Sequence, residues 1–177
     1  CLPLDLSAQI YHKQLTGSVD GSFLARVDGD QIRLLMWDKE KNSGAGTVAD
    51  INQGLFDQSS PANVSFSGSV TSQDEITVEI TTGDNRVTEV TANSVASEDL
   101  TKFTGRNYSS ENIEFQVGET TPGILKGEFT HLISEQKDKL HGLVVNNGLF
   151  IAMGEDGIII MRGYFNSDGV SGNWVDS

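Results

Sequence analysis

Apolar and polar residues alternate with a period of two along most of this chain. In Glu75-Ile76-Thr77-Val78-Glu79-Ile80-Thr81, three β-branched apolar residues face one way while Glu and Thr face the other. That pattern predicts a half-buried antiparallel strand. Asn63-Val64-Ser65-Phe66-Ser67-Gly68-Ser69-Val70 and Asn112-Ile113-Glu114-Phe115-Gln116-Val117 alternate in the same way. The segments between strands carry hairpin signals: Asp28-Gly29, Gly83-Asp84, Asn147-Gly148 and Asp156-Gly157. Such dipeptides supply the positive φ angles of tight turns. Strands joined so tightly must be antiparallel neighbours, because a parallel crossover takes roughly a dozen residues or more.

Some strands are apolar on both faces. Ile32, Leu34 and Met36 line one side of a strand whose other side carries Leu35 and Trp37, and Ile158-Ile159-Ile160-Met161 is a continuous apolar run. Such strands sit centrally with both faces covered, or contribute to a binding surface. Gly68, Gly127, Gly142, Gly163 and Gly172 fall inside strand patterns. A glycine there forfeits packing and entropy, and repeated ones mark bends where a sheet coils. The expected fold is all-β, an antiparallel β-barrel with a β-sandwich as the alternative. One or two short helices are expected beside it, over Ser97–Phe103, which has an N-cap and acids in its first turn, and over Thr47–Phe56. No linker-like stretch interrupts the chain, so residues 1–177 are expected to form a single β domain, with residues 1–7 a candidate tether.

Composition narrows the function classes. The chain has 25 acidic and 12 basic residues, a formal net charge of −13. A surface this acidic repels phosphate backbones, and the densest basic feature, Lys137-Asp138-Lys139, is interrupted by an acid. No nucleic-acid partner is expected. No apolar run is long enough for a membrane-spanning helix. The one cysteine, Cys1, excludes an internal disulfide.

Motifs for chemistry are sparse, and no enzyme is expected. His12, His131 and His141 are the obvious titratable candidates; the last two sit on neighbouring predicted strands, where a one-residue slip of register would separate them. They lack the ligand spacing of a zinc site. Asp28-Gly29-Asp30 and Asn166-Ser167-Asp168-Gly169 read as turns, since neither continues into a calcium-binding loop. There is no Gly-Xaa-Ser-Xaa-Gly nucleophile elbow. No phosphate-cradling glycine loop occurs. No metal, cofactor or catalytic residue is expected. The sequons Asn63-Val64-Ser65 and Asn107-Tyr108-Ser109 would matter only in a eukaryotic secretory protein.

A chain that starts at Cys1 resembles a mature bacterial lipoprotein, whose N-terminal cysteine carries the lipid. The final segment Gly163-Tyr164-Phe165-Asn166-Ser167-Asp168-Gly169-Val170-Ser171-Gly172-Asn173-Trp174 reads as a closing hairpin. With the glycine-aromatic strands Gly127-Glu128-Phe129 and Gly148-Leu149-Phe150, the last ~55 residues resemble Gram-negative surface-lipoprotein barrels of the transferrin-binding and factor-H-binding type. The resemblance implies an eight-stranded antiparallel barrel that holds a host protein. It also implies Cys1 as the lipid attachment site and an extracytoplasmic place on the bacterial outer membrane or cell surface. Two functions follow as expectations. The first is a non-enzymatic, membrane-anchored domain that binds a protein or envelope component. The alternative is a lipocalin-like barrel holding an apolar small molecule, with Trp37, Phe129, Phe150 and Trp174 as candidate contacts. An internal cavity distinguishes the two, because a scaffold barrel is filled by its own side chains.

Overall fold

The structure is a computed structural model that describes residues 8–17, 19–96, 107–109, 111–118, 123–145, 148–155, 159–166 and 169–176. The chain divides into two compact units, Cys1–Val95 and Ala96–Ser177.

The first unit contains β1 (Gln9–Leu15), β2 (Gly21–Asp28), β3 (Gln31–Asp38), β4 (Ser43–Asp50), β5 (Leu55–Ser59), β6 (Ser65–Val70), β7 (Glu75–Thr81) and β8 (Val87–Val95). These eight strands form one antiparallel sheet in the order β4-β3-β2-β1-β8-β7-β6-β5. Sequence neighbours pair throughout except β4 and β5, and β8 returns to pair with β1 through Ile10 opposite Val95. The ring is therefore an up-and-down barrel whose only break in the ladder lies between β4 and β5, the two ends of the strand order. Its interior carries a hydrophobic core. Tyr11, Phe23, Leu34, Met36, Phe66 and Ile80 are buried members of one continuous core. The sequence alternation separated the two faces of β3, and the structure assigns them: Ile32, Leu34 and Met36 belong to this core, while Leu35 and Trp37 are buried outside it on the opposite strand face.

The second unit contains β9 (Asn107–Ser109), β10 (Ile113–Val117), β11 (Ile124–His131), β12 (Lys137–Val144), β13 (Leu149–Gly154), β14 (Ile159–Asn166) and β15 (Gly169–Asp176). These seven strands follow one another in an antiparallel meander from β9 to β15. An odd number of antiparallel strands leaves the two edges, β9 and β15, running in the same direction, so no antiparallel ladder can join them. The sheet is a nearly closed barrel with a seam. Phe115, Phe129, Leu140, Val144, Phe150 and Phe165 form its core.

The expectation of short helices is corrected, since no helix occurs among the described residues. The segment Thr47–Phe56 continues β4 to Asp50, turns through Gln53 (φ 53°) and Gly54 (φ 79°), and enters β5. The local reason is periodicity: Ala45 and Ala49 are buried while Val48 between them is exposed, an alternation of two that a helix cannot use. The other helix expected, Ser97–Phe103, lies outside the described residues. Turn chemistry follows the sequence more closely. Gly29 and Gly148 adopt positive φ, whereas in the Gly83-Asp84 turn the left-handed residue is Asn85 (φ 63°).

Candidate functional site at the seam of the second unit

Inward-facing positions of the second sheet alternate aromatic rings with glycines. The Phe115 ring comes within 2.9 Å of where Gly127 would carry a Cβ, and the Phe150 ring within 3.0 Å of the same point on Gly163. The missing side chains leave room for the rings to lie flat on the neighbouring strands. Phe115 and Phe150 consequently stack nearly parallel, with centroids 6.3 Å apart and an interplanar angle of 9°. Phe165 packs on Phe150 at 4.9 Å. Tyr108 completes the circuit, stacked on Phe115 and edge-on to Phe165, both at 6.4 Å.

Tyr108 matters because of its strand. It lies on β9, one edge of the seam, yet its Cε1 lies 3.8 Å from where Gly169 of β15, the other edge, would carry a Cβ. A side chain thus crosses the gap that no backbone ladder closes. Beside it opens a half-enclosed groove of about 220 Å³. β10 contributes Ile113 and Phe115 to its walls, β13 Phe150, β14 Met161, and β15 Val170 and Gly172. The lining is mostly apolar. Ser109 and Asn173, the polar lining side chains on the edge strands, are both exposed at its rim.

Two polar groups decide what the groove can hold. The Tyr108 hydroxyl oxygen is buried and has no hydrogen-bond partner among the described residues. Arg162 also borders the groove. Its strand neighbour Met161 faces the core, however, and alternation sends the Arg162 side chain to the opposite face. There its Nη2 donates to the Tyr164 hydroxyl at 3.2 Å, and its guanidinium carbon lies 5.2 Å from the Tyr164 ring centroid. Arg162 Nε, like the Tyr108 hydroxyl, is buried and has no hydrogen-bond partner among the described residues.

The residues expected to contact a ligand are distributed as follows. Phe150 lines the groove, and Phe129 is buried in the same core without reaching the groove wall. Trp37 belongs to the first unit, 1 % exposed and outside its inner core. Trp174 stands opposite Met161 in the β14–β15 ladder; its side chain lies outside the described residues, as does Cys1. Tyr108, Ile113, Met161 and Val170 were not singled out from the sequence as contacts. For Ile113 and Phe115 the signal was present in the alternation of residues 112–117; for Tyr108 there was none.

The histidines do not converge. His141 stands opposite Lys126, while His131, at the end of β11, stands opposite Ile113. Among the described residues no group of three metal-ligating side chains occurs. His12 on β1 is half-buried, and that burial lowers its pKa below the ordinary histidine value.

The first unit carries a charged cluster at one end of its barrel. Asp38, at the end of β3, is 2 % exposed. One carboxylate oxygen accepts the backbone N–H groups of Glu40 and Lys41, and the other accepts Arg86 Nη2 at 2.9 Å. Arg86 also donates through Nε to Asp84, which in turn accepts from Lys41 and Thr82. These bonds, Lys41 first, hold the Asp84 carboxyl well below the usual carboxylate range. The cluster ties the β3–β4 turn to the β7–β8 turn, two hairpins that are separated in the sheet by β2 and β1. Its groups pair with one another, which is the arrangement of a structural tie.

No family model, no curated protein and no solved structure matches this chain. What it shares with the surface-lipoprotein barrels it resembles is the generic antiparallel barrel, and nothing further ties it to that family.

Proposed function

We propose that this chain is a non-enzymatic binding protein whose second unit holds an apolar small molecule in the seam groove. The observation that carries this reading is the pairing of an incomplete ring with an aromatic wall. The first barrel carries a continuous core of buried apolar side chains. The second leaves about 220 Å³ beside Tyr108, Phe115 and Phe150. That is below the roughly 300–1,000 Å³ of pockets for drug-sized ligands. It exceeds the roughly 150 Å³ that suffices for benzene in an apolar protein cavity. The ligand is accordingly about one ring with a small substituent. Its apolar surface displaces water from Ile113, Met161 and Val170, and the near-parallel phenylalanines favour a flat shape.

Saturation-transfer NMR with toluene tests this reading on the full chain. A Kd of about 0.1–1 mM is expected, equivalent to about −4 to −5.5 kcal/mol. Val170→Phe, on the edge strand β15, projects a ring into the groove and is expected to abolish the signal while the melting temperature stays within a few degrees. Undiminished binding in Val170→Phe would place the ligand elsewhere.

A further inference from the structure

We propose that the seam of the second unit also accepts an extended peptide with basic flanks, which adds as an eighth strand and places one aromatic side chain in the groove. The inference rests on the groove being a site for an apolar ring, and it adds a backbone on which such a ring arrives. β9 and β15 run in the same direction, so a strand laid between them antiparallel to one is antiparallel to both. An eighth strand thereby completes the ring that seven leave open. The first barrel offers no such fit. Its edges β4 and β5 run in opposite directions, so a single inserted strand would be parallel to one of them.

β15 has the features of an accepting edge. Its ladder to β14 runs without a bulge from Asn166 opposite Gly169 to Ile159 opposite Asp176. Among the described residues, no backbone hydrogen bond joins it to any strand but β14. It contains no lysine, arginine or proline, residues that guard exposed edges against pairing. Tyr108 crosses the seam at Gly169, the first residue of β15, and the groove opens beside Val170, Gly172 and Asn173. Gly172 is exposed there and offers bare backbone, as glycines do where another backbone approaches closely. Side chains of an added strand alternate between its faces, so every second one turns toward the core side, where about 220 Å³ takes one aromatic ring. Charge favours basic flanks. The chain carries −13, Glu114 stands opposite Ser109 of β9, and Glu111 is exposed just before β10. Among the residues that line the groove, Arg162 is the single cation.

The test titrates the unmodified full chain by NMR with the synthetic peptide acetyl-Lys-Thr-Thr-Phe-Thr-Thr-Lys-amide. Three companions isolate its parts: alanine for phenylalanine, glutamate for both lysines, and N-methylation at every second residue, which keeps the ring but blocks pairing along one edge. The alanine and N-methylated versions are each expected to bind about tenfold more weakly, since main-chain bonds give affinity and the pocket gives specificity. The glutamate version is expected to bind about threefold more weakly at low salt. Saturating peptide is expected to slow amide hydrogen exchange within Gly169–Asp176 at least about fivefold, and saturating toluene to leave it unchanged. N-methylated peptide binding as tightly as the parent, or unslowed exchange in β15, would overturn the added strand, and toluene binding would then leave the groove reading intact. Tighter binding of the glutamate version would overturn the basic partner. Dimerisation in sedimentation that slows the same amides without peptide would make a second copy the occupant and overturn the peptide assignment. Failure of both toluene and peptide to bind would overturn the groove reading itself.

Discussion

The ring of Phe150 occupies the space that a side chain on Gly163 would need. A Cβ built on Gly163 would meet Phe150 Cε1 and Cζ at 3.0 Å, and it would also press on the carbonyl oxygen of Ser171 across the ladder. Neither neighbour gives way easily, since Phe150 is fully buried between Phe115 and Phe165. Gly163→Ala is therefore expected to destabilise the protein by about 1–3 kcal/mol, the usual cost of overpacking. Urea unfolding followed by circular dichroism measures it. A change within ~0.3 kcal/mol would mean that the ring moves freely, contrary to the packing described.

The first barrel separates its two strand faces sharply. Ile80 on β7 is fully buried in the core, and Ile80→Ala is expected to cost about 2–5 kcal/mol. Glu79, its neighbour, is exposed and stands directly opposite Glu89 on β8. Like charges so placed repel, so Glu79→Thr is expected to be neutral or to stabilise by up to about 0.5 kcal/mol. Thermal melts of the two variants check the contrast.

The tie between turns of the first barrel makes stability depend on pH in a definite direction. The folded-state pKa of Asp84 lies well below its unfolded value of 3.8, so its contribution is present above that pH and is lost progressively as pH falls from there through the lower folded-state value. His12 acts in a higher window. Burial lowers its folded pKa below 6.5, so the unfolded chain takes up the proton first and stability declines as pH falls below about 6.5. Melting temperatures measured from pH 7 to about pH 2 are expected to fall in both windows. His12→Gln is expected to flatten the upper one and Asp84→Asn the lower. An upper step that persists in His12→Gln would assign it to another group.

Arg86 and Lys41 both pair with Asp84, but only Arg86 reaches Asp38. Removing Lys41 leaves an exposed carboxylate that water can solvate. Removing Arg86 strips a 2 % exposed carboxylate of its only ionic partner among the described residues, a costlier loss. Arg86→Ala is expected to lower the melting temperature more than Lys41→Ala does. The reverse order would show that the backbone N–H groups of Glu40 and Lys41 suffice for Asp38.

Much of this fold is legible in the chain because strand faces are encoded locally. The alternation over residues 75–81 coincides with β7, and the two-faced apolar pattern of Ile32 to Trp37 matches a strand buried on both faces, though it does not tell which face enters the first core. What the chain does not encode locally is pairing between distant strands. The return of β8 to β1 closes one ring near residue 95, where no change of composition marks a boundary. The helix expected over Thr47–Phe56 is replaced by strand and turn; the alternating burial of Ala45, Val48 and Ala49 is a tertiary result. The groove was partly legible. Phe150 carries its signal in the glycine-aromatic pattern, but Tyr108 sits on a three-residue strand, and its value comes from reaching Gly169 some sixty residues later.

The central claim is that a small aromatic molecule enters the seam of the second unit. Backbone and methyl NMR of the full chain during titration with phenol tests it most directly. The account predicts saturable shifts at Ile113, Met161, Val170 and Gly172, with residues 9–95 unchanged. Shifts confined to residues 9–95, or no saturable shift at any of these four positions, would contradict it.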